Sequence, residues 1–253
     1  MNWVLVYLCG LEKAMALWEG IAVNLCSDVV FIAILAGLLY YFYHKELVKY
    51  QNFFGLDQNS QVQVYISTHE DNATATKGVV TAVEYEVAAE LKYSLQEIRD
   101  SRLIKGISGI LGQEIKLPEL IIKVSPLEEG AEALNFSSSL ILIGGPLRNQ
   151  VTQFYLQQKP LLTYDKAEKK YKELNDGEYR TISRVVAILV KMNYQKQTVF
   201  LAFGDGEIYT AEVVRYLKEN WKSMSEKYTQ SFGLCFSPGE YGKLIVSKEI
   251  LPS

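Results

Sequence analysis

The most apolar stretch of the chain is a run of 24 residues near its start, GIAVNLCSDVVFIAILAGLLYYFY, at positions 20–43. Its strongly polar members, Asn24, Ser27 and Asp28, all lie in its first half. At about 1.5 Å per residue, a helix of this length crosses a hydrocarbon core of about 30 Å with some tilt. The pattern therefore predicts a single transmembrane helix; the alternative is a buried core helix of a soluble protein.

The residues that flank this helix predict its orientation. His44, Lys45 and Lys49 follow it directly, whereas residues 1–19 carry one lysine and two glutamates. Because basic residues are retained preferentially on the cytoplasmic side, we expect an inner-membrane protein with its N-terminus outside and its large C-terminal part in the cytoplasm. Residues 1–19 lack the basic region of a cleavable signal peptide and are expected outside the membrane or at its interface.

Asn24 and Asp28 are four residues apart and therefore share one face of the predicted helix. A carboxylate that faces lipid costs about 2.5–3.5 kcal/mol, so such a residue usually faces a partner helix or water. Two interpretations stay open. In the first, the polar pair mediates association of several copies of the chain or lines a pore; in the second, Asp28 lies among the outer headgroups.

After a connector at 44–60, strand-like and helix-like patterns alternate along residues 61–253. Runs rich in β-branched and aromatic residues predict strands, and apolar residues three and four positions apart at 79–98 predict a helix. A polar segment at 161–182 is typical of a hairpin excursion, with NDG as its turn. The alternation predicts an α/β domain, Rossmann-like and three-layered, around a largely parallel sheet.

Three segments with unusual chemistry lie where predicted strands end: YISTHEDNATATKG, IGGPLRNQVT and AFGDGEIYTAE. In an open α/β sheet, ligands bind in the crevice beyond the carboxyl ends of the strands. Glycines there allow a ligand to approach the backbone closely, and an N-capped helix start is a ready anion site. The candidate ligand-binding residues are Ser67, Thr68, Gly144, Gly145, Pro146, Asn149, Gly204, Asp205, Gly206 and Glu207.

The residue content excludes several classes of protein. A net charge of −3 argues against binding of a nucleic acid duplex, which normally needs a basic surface. Three cysteines and two histidines lie at no metal-ligand spacing, so we predict neither a metal site nor a bound cofactor. Neither G-x-G-x-x-G nor G-x-x-x-x-G-K-[ST] occurs, so the sequence supports no standard dinucleotide site and no P-loop.

The sequence assigns no catalytic residue. Glu86 and Glu90 share a face of the first predicted helix away from its apolar stripe, which is typical of a solvated surface. Glu84 lies nearer the stripe and could reach a site. A loop histidine such as His69 is more often structural than a general base, and Cys235 lies in an apolar strand, where packing is the simplest role.

The helix WEGIAVNLCSDVVFIAILAGLLYYFY followed by one α/β domain resembles the compact membrane effectors of bacterial anti-phage systems. VYIS and LILIGGPLRN are similar to segments of their Rossmann-like sensor domains, of the SLOG, TIR-like or CRISPR-associated Rossmann kind. The resemblance implies that the cytosolic domain recognises a nucleotide-derived signal and that the membrane part then assembles and perturbs the bilayer. The chain departs from the TIR kind because its catalytic glutamate motif is not recognisable.

Together these patterns predict a membrane-anchored sensor or effector that binds a small nucleotide-like ligand, contacts the lipid bilayer and forms a homo-oligomer. Two alternatives stay open. The same pocket could hydrolyse a nucleotide or glycosidic bond, with Glu84, Asp205 or Glu207 as acid or base. The domain could also be a ligand-free anchor that docks another protein.

Overall fold

The computed structural model describes residues 30–56, 62–71, 76–100, 120–124, 139–158, 160–165, 167–175, 177–240 and 243–252. Residues 1–29 lie outside these ranges, and with them the predicted polar pair Asn24 and Asp28. Four helices are described: α1 Val30–Phe54, α2 Ala82–Asp100, α3 Gln150–Leu156 and α4 Glu207–Lys227.

Twelve strands lie within the described residues. They are β1 Val62–Ile66, β2 His69–Asp71, β3 Thr76–Val79, β4 Leu120–Val124, β5 Ser139–Ile143, β6 Leu162–Asp165, β7 Lys170–Asn175, β8 Glu178–Thr181, β9 Ala187–Tyr194, β10 Gln197–Gly204, β11 Phe232–Pro238 and β12 Leu244–Ile250.

The main sheet has seven strands in the order β12-β11-β9-β10-β5-β1-β4. The α/β class is as predicted, but the expected largely parallel sheet is found in one half only. β4, β1, β5 and β10 pair in parallel, whereas the pairs β10–β9, β9–β11 and β11–β12 are antiparallel. The reason is connection length: Tyr194 pairs with Gln197, and a two-residue turn cannot supply the crossover that a parallel neighbour needs.

Two apolar clusters pack against opposite faces of the sheet. On one face, Ile141 of β5 joins residues from α1, α2 and α4. On the other face, the adjacent Leu142 joins residues from α3 and from the small sheet β6–β7–β8. This alternation along β5, a strand that is buried at every position, is what a central strand requires. The second face thus carries a short helix and a small sheet, where a doubly wound fold carries long helices.

The predicted polar excursion is confirmed as a three-stranded antiparallel sheet, β6–β7–β8. Asn175 pairs with Glu178, and Gly177 in the turn between them has a φ of +82°, a backbone conformation that favours glycine. The first polar loop also contains strands, because β2 and β3 pair with each other. In the sequence, the small sheet β2–β3 follows β1, and the small sheet β6–β7–β8 follows β5 and α3.

Helix α1 is long and apolar enough to cross a membrane, by length and composition, and is the only such helix in the described part of the chain. Its large apolar residues from Val30 to Phe42 are mostly exposed. Its last turns are different, because Leu47, Tyr50 and Phe53 are buried in the domain. The segment that we predicted as a connector is therefore helical as far as Phe54, and its buried side chains belong to the core.

Candidate functional site

A cleft of about 580 Å³ lies at the carboxyl ends of the parallel strands β1, β5 and β10, and we call it the sheet-edge cleft. Along the chain, β1 is followed by β4 on one side of the sheet and by β5 on the other. The strand order therefore reverses beside β1, which is where open α/β sheets bind ligands. Side chains after each of the three strands line the cleft.

Seven of the ten predicted ligand residues line this cleft: Ser67, Gly145, Pro146, Gly204, Asp205, Gly206 and Glu207. The other three, Thr68, Gly144 and Asn149, are buried and are not among its lining residues. The topology thus brings the three predicted junctions to one place. Binding of a ligand by these residues stays a prediction.

The two glycines of the GGP segment have different roles. Gly144 has a φ of +106°, and a Cβ atom there would lie 2.2 Å from Ser67 Oγ. Its carbonyl oxygen accepts a hydrogen bond from Thr152 Oγ1 at 3.0 Å. Gly145 has no such constraint, since a Cβ atom there would meet only Phe203, at an ordinary 3.6 Å. Gly144 therefore serves the fold, whereas Gly145 leaves space in the cleft.

Asn149 caps helix α3, as predicted, and this role explains why it does not line the cleft. Its Oδ1 accepts a hydrogen bond from the backbone N of Thr152 at 3.1 Å. The cap thus occupies a backbone donor that we expected an anion to use. Positive charge at this junction comes instead from Arg148, an exposed side chain that lines the cleft.

The third junction leads into α4 through a tight turn. Gly206 has a φ of +95° and is the N-cap residue of the helix. The hydroxyl of Thr210 accepts a hydrogen bond from Gly204 N at 3.1 Å and donates one to Gly206 O at 2.9 Å. These contacts hold the turn without using the side chains of Asp205 and Glu207, which stay exposed at the cleft.

Glu84 also lines the cleft; the predicted ligand-binding set did not include it, although it was a candidate acid or base. It lies in the first turn of α2, is 6% exposed and accepts a hydrogen bond from Ser67 Oγ at 3.0 Å. Burial raises the pKa of its carboxyl; hydrogen bonds from Ser67 and Thr81 and the charge of Arg148 oppose this shift. The spacing T-x-x-E at 81–84 was the available signal, since Thr81 Oγ1 accepts from Glu84 N as in a capping box.

Three aromatic residues line another side of the cleft and form what we call the aromatic wall: the half-buried Tyr164, and Tyr171 and Phe203, which are almost fully buried. The rings of Tyr164 and Tyr171 lie 5.2 Å apart, and those of Tyr171 and Phe203 lie 6.0 Å apart. The Tyr171 hydroxyl donates a hydrogen bond to Asp205 Oδ1 at 3.0 Å. Both tyrosines come from the small sheet β6–β7–β8, so sequence reasoning that looked only at main-strand ends missed them.

The charges of the cleft favour a particular kind of ligand. Among the residues that the structure describes, three carboxylates line the cleft, those of Glu84, Asp205 and Glu207, together with one guanidinium, that of Arg148. Carboxylates accept hydrogen bonds from hydroxyl and amino groups, a guanidinium binds one anionic group, and aromatic faces contact a flat ring. No group of side chains that could hold a metal ion lies within the described residues.

No family model matches the chain, and no curated protein is significantly similar to it.

Proposed function

We propose that the sheet-edge cleft binds a small nucleotide-like ligand and that the chain is a membrane-anchored sensor. The observation that carries the proposal is the joint presence of an aromatic wall, acceptor carboxylates and one arginine in a single cleft. A planar base would contact the wall through Tyr164, its half-buried member, and sugar hydroxyls fit the carboxylates. The parallel half of the sheet, with its cleft beside β1, supports a Rossmann-like interpretation of this domain.

The balance of acidic and basic side chains in the cleft narrows the class of ligand further. Because the carboxylates outnumber the single guanidinium, a chain of several phosphates would meet repulsion at this edge of the sheet. A nucleoside, or a nucleotide whose phosphate charges are few, suits the cleft better. Cyclic and monophosphate nucleotides are therefore expected to bind more tightly than the corresponding triphosphates.

Helix α4 runs from the sheet-edge cleft to α1, the candidate membrane helix. Glu207 and Thr210 line the cleft at its start, and Trp221 packs on Tyr50 of α1 with ring centroids 5.5 Å apart. A helix of 21 residues is about 30 Å long, so a ligand at one end can alter the packing of α1 at the other. It can do so only by binding two arrangements of the helices with different affinity.

The test is thermal melting of the purified full-length chain in detergent against a panel of cyclic and linear nucleotides and NAD. A ligand at 100 times its Kd adds about 2.7 kcal/mol to the free energy of unfolding. For a domain of this size we expect Tm to rise by roughly 5–10 °C. The variant Gly145→Leu should lose the shift and keep its ligand-free Tm, since the added side chain fills the cleft and not the core.

The matched control is Thr229→Leu, which adds the same side chain at an exposed position beyond the other end of α4. Its ligand-induced shift should equal that of the parent. A panel that produces no shift, or an equal shift for the Gly145→Leu variant, would contradict the proposal. The first of these outcomes would favour a ligand-free anchor that docks another protein.

A second candidate function is hydrolysis of a nucleotide or glycosidic bond in the same cleft. The observation in its favour is the buried Glu84, whose carboxyl pKa is raised while Asp205 and Glu207 lie exposed nearby. Glycoside hydrolysis uses two carboxyl groups, and the one that acts as the acid has a raised pKa. Chromatography of each shifting nucleotide after incubation distinguishes the functions: an intact ligand supports the sensor, and turnover that Glu84→Gln abolishes supports the enzyme.

A further inference from the structure

A second cleft, of about 750 Å³, lies where α1 leaves the domain and passes α2 and α4, and we call it the helix cleft. It is separate from the sheet-edge cleft, with which it shares no lining residue. Four lysines line it, and they are Lys45 and Lys49 of α1 and Lys218 and Lys222 of α4. Two glutamates, Glu46 and Glu219, also line it, so basic side chains outnumber acidic ones in the lining until the ion-pair partners just outside it are counted.

Three of the lysines already have carboxylate partners, but these ion pairs are easily exchanged. Lys222 Nζ lies 2.7 Å from Glu46, and Lys218 Nζ lies 2.7 Å from Glu90. Lys49 pairs with Glu226. Most of these side chains are a third or more exposed, and ion pairs exposed to water contribute little to stability. Lys45 has no ion pair within the described part of the chain.

The helix cleft also holds an unused hydrogen-bonding group. The Tyr43 hydroxyl is buried and has no hydrogen-bond partner among the described residues, which is costly for a polar atom. Tyr43 lines the cleft together with Trp221. Tyrosine and tryptophan are the residues that membrane proteins place at the level of the lipid headgroups.

The position of the cleft along α1 matches the edge of a bilayer. On one side of Tyr43, the apolar residues of α1 are exposed, as a lipid-facing surface would be. On its other side, Lys45 and Lys49 follow within two turns, and Leu47 and Tyr50 are buried in the domain. If α1 crosses the bilayer, the helix cleft opens at the cytoplasmic headgroup layer.

We propose that the helix cleft binds the phosphate headgroup of an anionic phospholipid. The lysine ammonium groups would neutralise the phosphate and the Tyr43 hydroxyl would donate a hydrogen bond to it, while the acyl chains follow the exposed face of α1. Basic pockets beside transmembrane helices on the cytoplasmic side are suited to such headgroups. The inference requires that α1 crosses the bilayer, and it does not depend on any ligand of the sheet-edge cleft.

The experiment is native mass spectrometry of the full-length chain in detergent with added dioctanoyl phosphatidylglycerol, dioctanoyl phosphatidylcholine or inorganic phosphate. We expect retention of phosphatidylglycerol and not of phosphatidylcholine. The double variant Lys45→Gln, Lys222→Gln should bind phosphatidylglycerol about 30-fold more weakly, because each lysine near an anionic lipid surface strengthens binding by a factor of about five. The control Lys196→Gln, Lys243→Gln removes two exposed lysines elsewhere and should leave binding unchanged.

Tyr43→Phe supplies a test that does not alter charge. It removes the unpartnered hydroxyl and keeps the ring, so headgroup binding should weaken while the lipid-free Tm is kept or rises. Equal retention of the two lipids, or full retention by the lysine double variant, would overturn the proposal. Binding of inorganic phosphate with the same dependence on Lys45 and Lys222, and with no gain from acyl chains, would overturn the lipid assignment in favour of a free phosphate site.

Discussion

Ser67 Oγ donates a hydrogen bond to Glu84 Oε2 at 3.0 Å, and this contact joins the end of β1 to the first turn of α2 at the edge of the sheet-edge cleft. The contact places a buried carboxyl beside the predicted ligand residues. Because the Ser67 hydroxyl can donate to either protonation state of Glu84, the cleft keeps its shape while the carboxyl gains or loses a proton.

The Glu84→Gln variant is expected to be more stable than the parent at neutral pH. The folded-state pKa of Glu84 is raised, so its contribution to stability is fully present below the unfolded pKa of about 4.3 and is lost as pH rises through the folded value. Glutamine keeps an acceptor for Ser67 and never ionises. The gain in Tm should therefore vanish near pH 4 and increase as the pH rises above the unfolded pKa, in a series of thermal melts.

The matched control for this series is Glu86→Gln, which changes an exposed carboxyl on the same helix. Its Tm should follow that of the parent at every pH. A Glu84→Gln variant that is less stable than the parent at both ends of the series would show that the carboxylate is stabilised in the folded protein, contrary to the role of burial inferred above.

Gly144→Ala should destabilise the domain, whereas Gly145→Ala should not. The first substitution introduces a side chain at a φ of +106° and against Ser67 Oγ, so we expect a loss of at least about 1–3 kcal/mol. The second places a methyl group at an ordinary distance from Phe203, and its effect should stay within about 0.5 kcal/mol. Thermal melting of the two variants, side by side, measures both effects. An equal loss of stability in the two variants would refute the distinct roles of the two glycines.

Patterns within single helices and strands predicted much of this architecture. The features that they did not predict depend on contacts between elements that are distant in the sequence. The apolar run SLILI indicates a central strand, and β5 is one. In contrast, the approach of Tyr171 to Asp205 joins residues 34 positions apart, on a small sheet and at a main-strand end. No local periodicity encodes such a contact, because it depends on how the small sheet folds back over the cleft.

The end of helix α1 could not be predicted for the same reason, because it depends on a contact between elements that are distant in the sequence. The sequence between Tyr43 and Phe54 becomes polar enough to suggest a connector, because charged residues alternate there with apolar ones. The alternation is that of an amphipathic helix, whose apolar side contacts the domain through Leu47, Tyr50 and Phe53. The partner surface on α4 lies more than 160 residues further along the chain, and only the folded structure shows the two together.

Membrane topology gives a prediction about Cys9. If the N-terminus lies outside, as predicted, a membrane-impermeant maleimide should label Cys9 in spheroplasts of a bacterium that expresses the Cys26→Ser variant, and adding Cys9→Ser should remove the label. Cys235 will not interfere, since it is fully buried and burial raises the pKa of its thiol to about 12. A Lys196→Cys variant lacking Cys9 serves as the cytoplasmic control and should react only after lysis; the reverse pattern would invert the topology.

Lys191 and Phe53 supply the last prediction, at the joint between α1 and the sheet. The Lys191 side chain is almost fully buried, and its Nζ lies 4.8 Å from the centre of the Phe53 ring. Burial lowers the pKa of this lysine to about 8. Between pH 8 and about 10.4, the unfolded chain therefore binds more protons at this position than the folded protein, and the free energy of unfolding rises with pH.

Lys191→Met retains most of the side-chain volume and removes the charge. The variant should be more stable than the parent at pH 7, by up to about 3 kcal/mol, and this difference should close as the pH approaches 10. Thermal melts at pH 7, 8.5 and 10 measure it, with the exposed Lys196→Met as the control that shifts at no pH. A stability difference of equal size at pH 7 and pH 10 would mean that the Lys191 ammonium is well solvated in the folded state. The packing of α1 on the sheet around Lys191 would then admit more water than its contacts indicate.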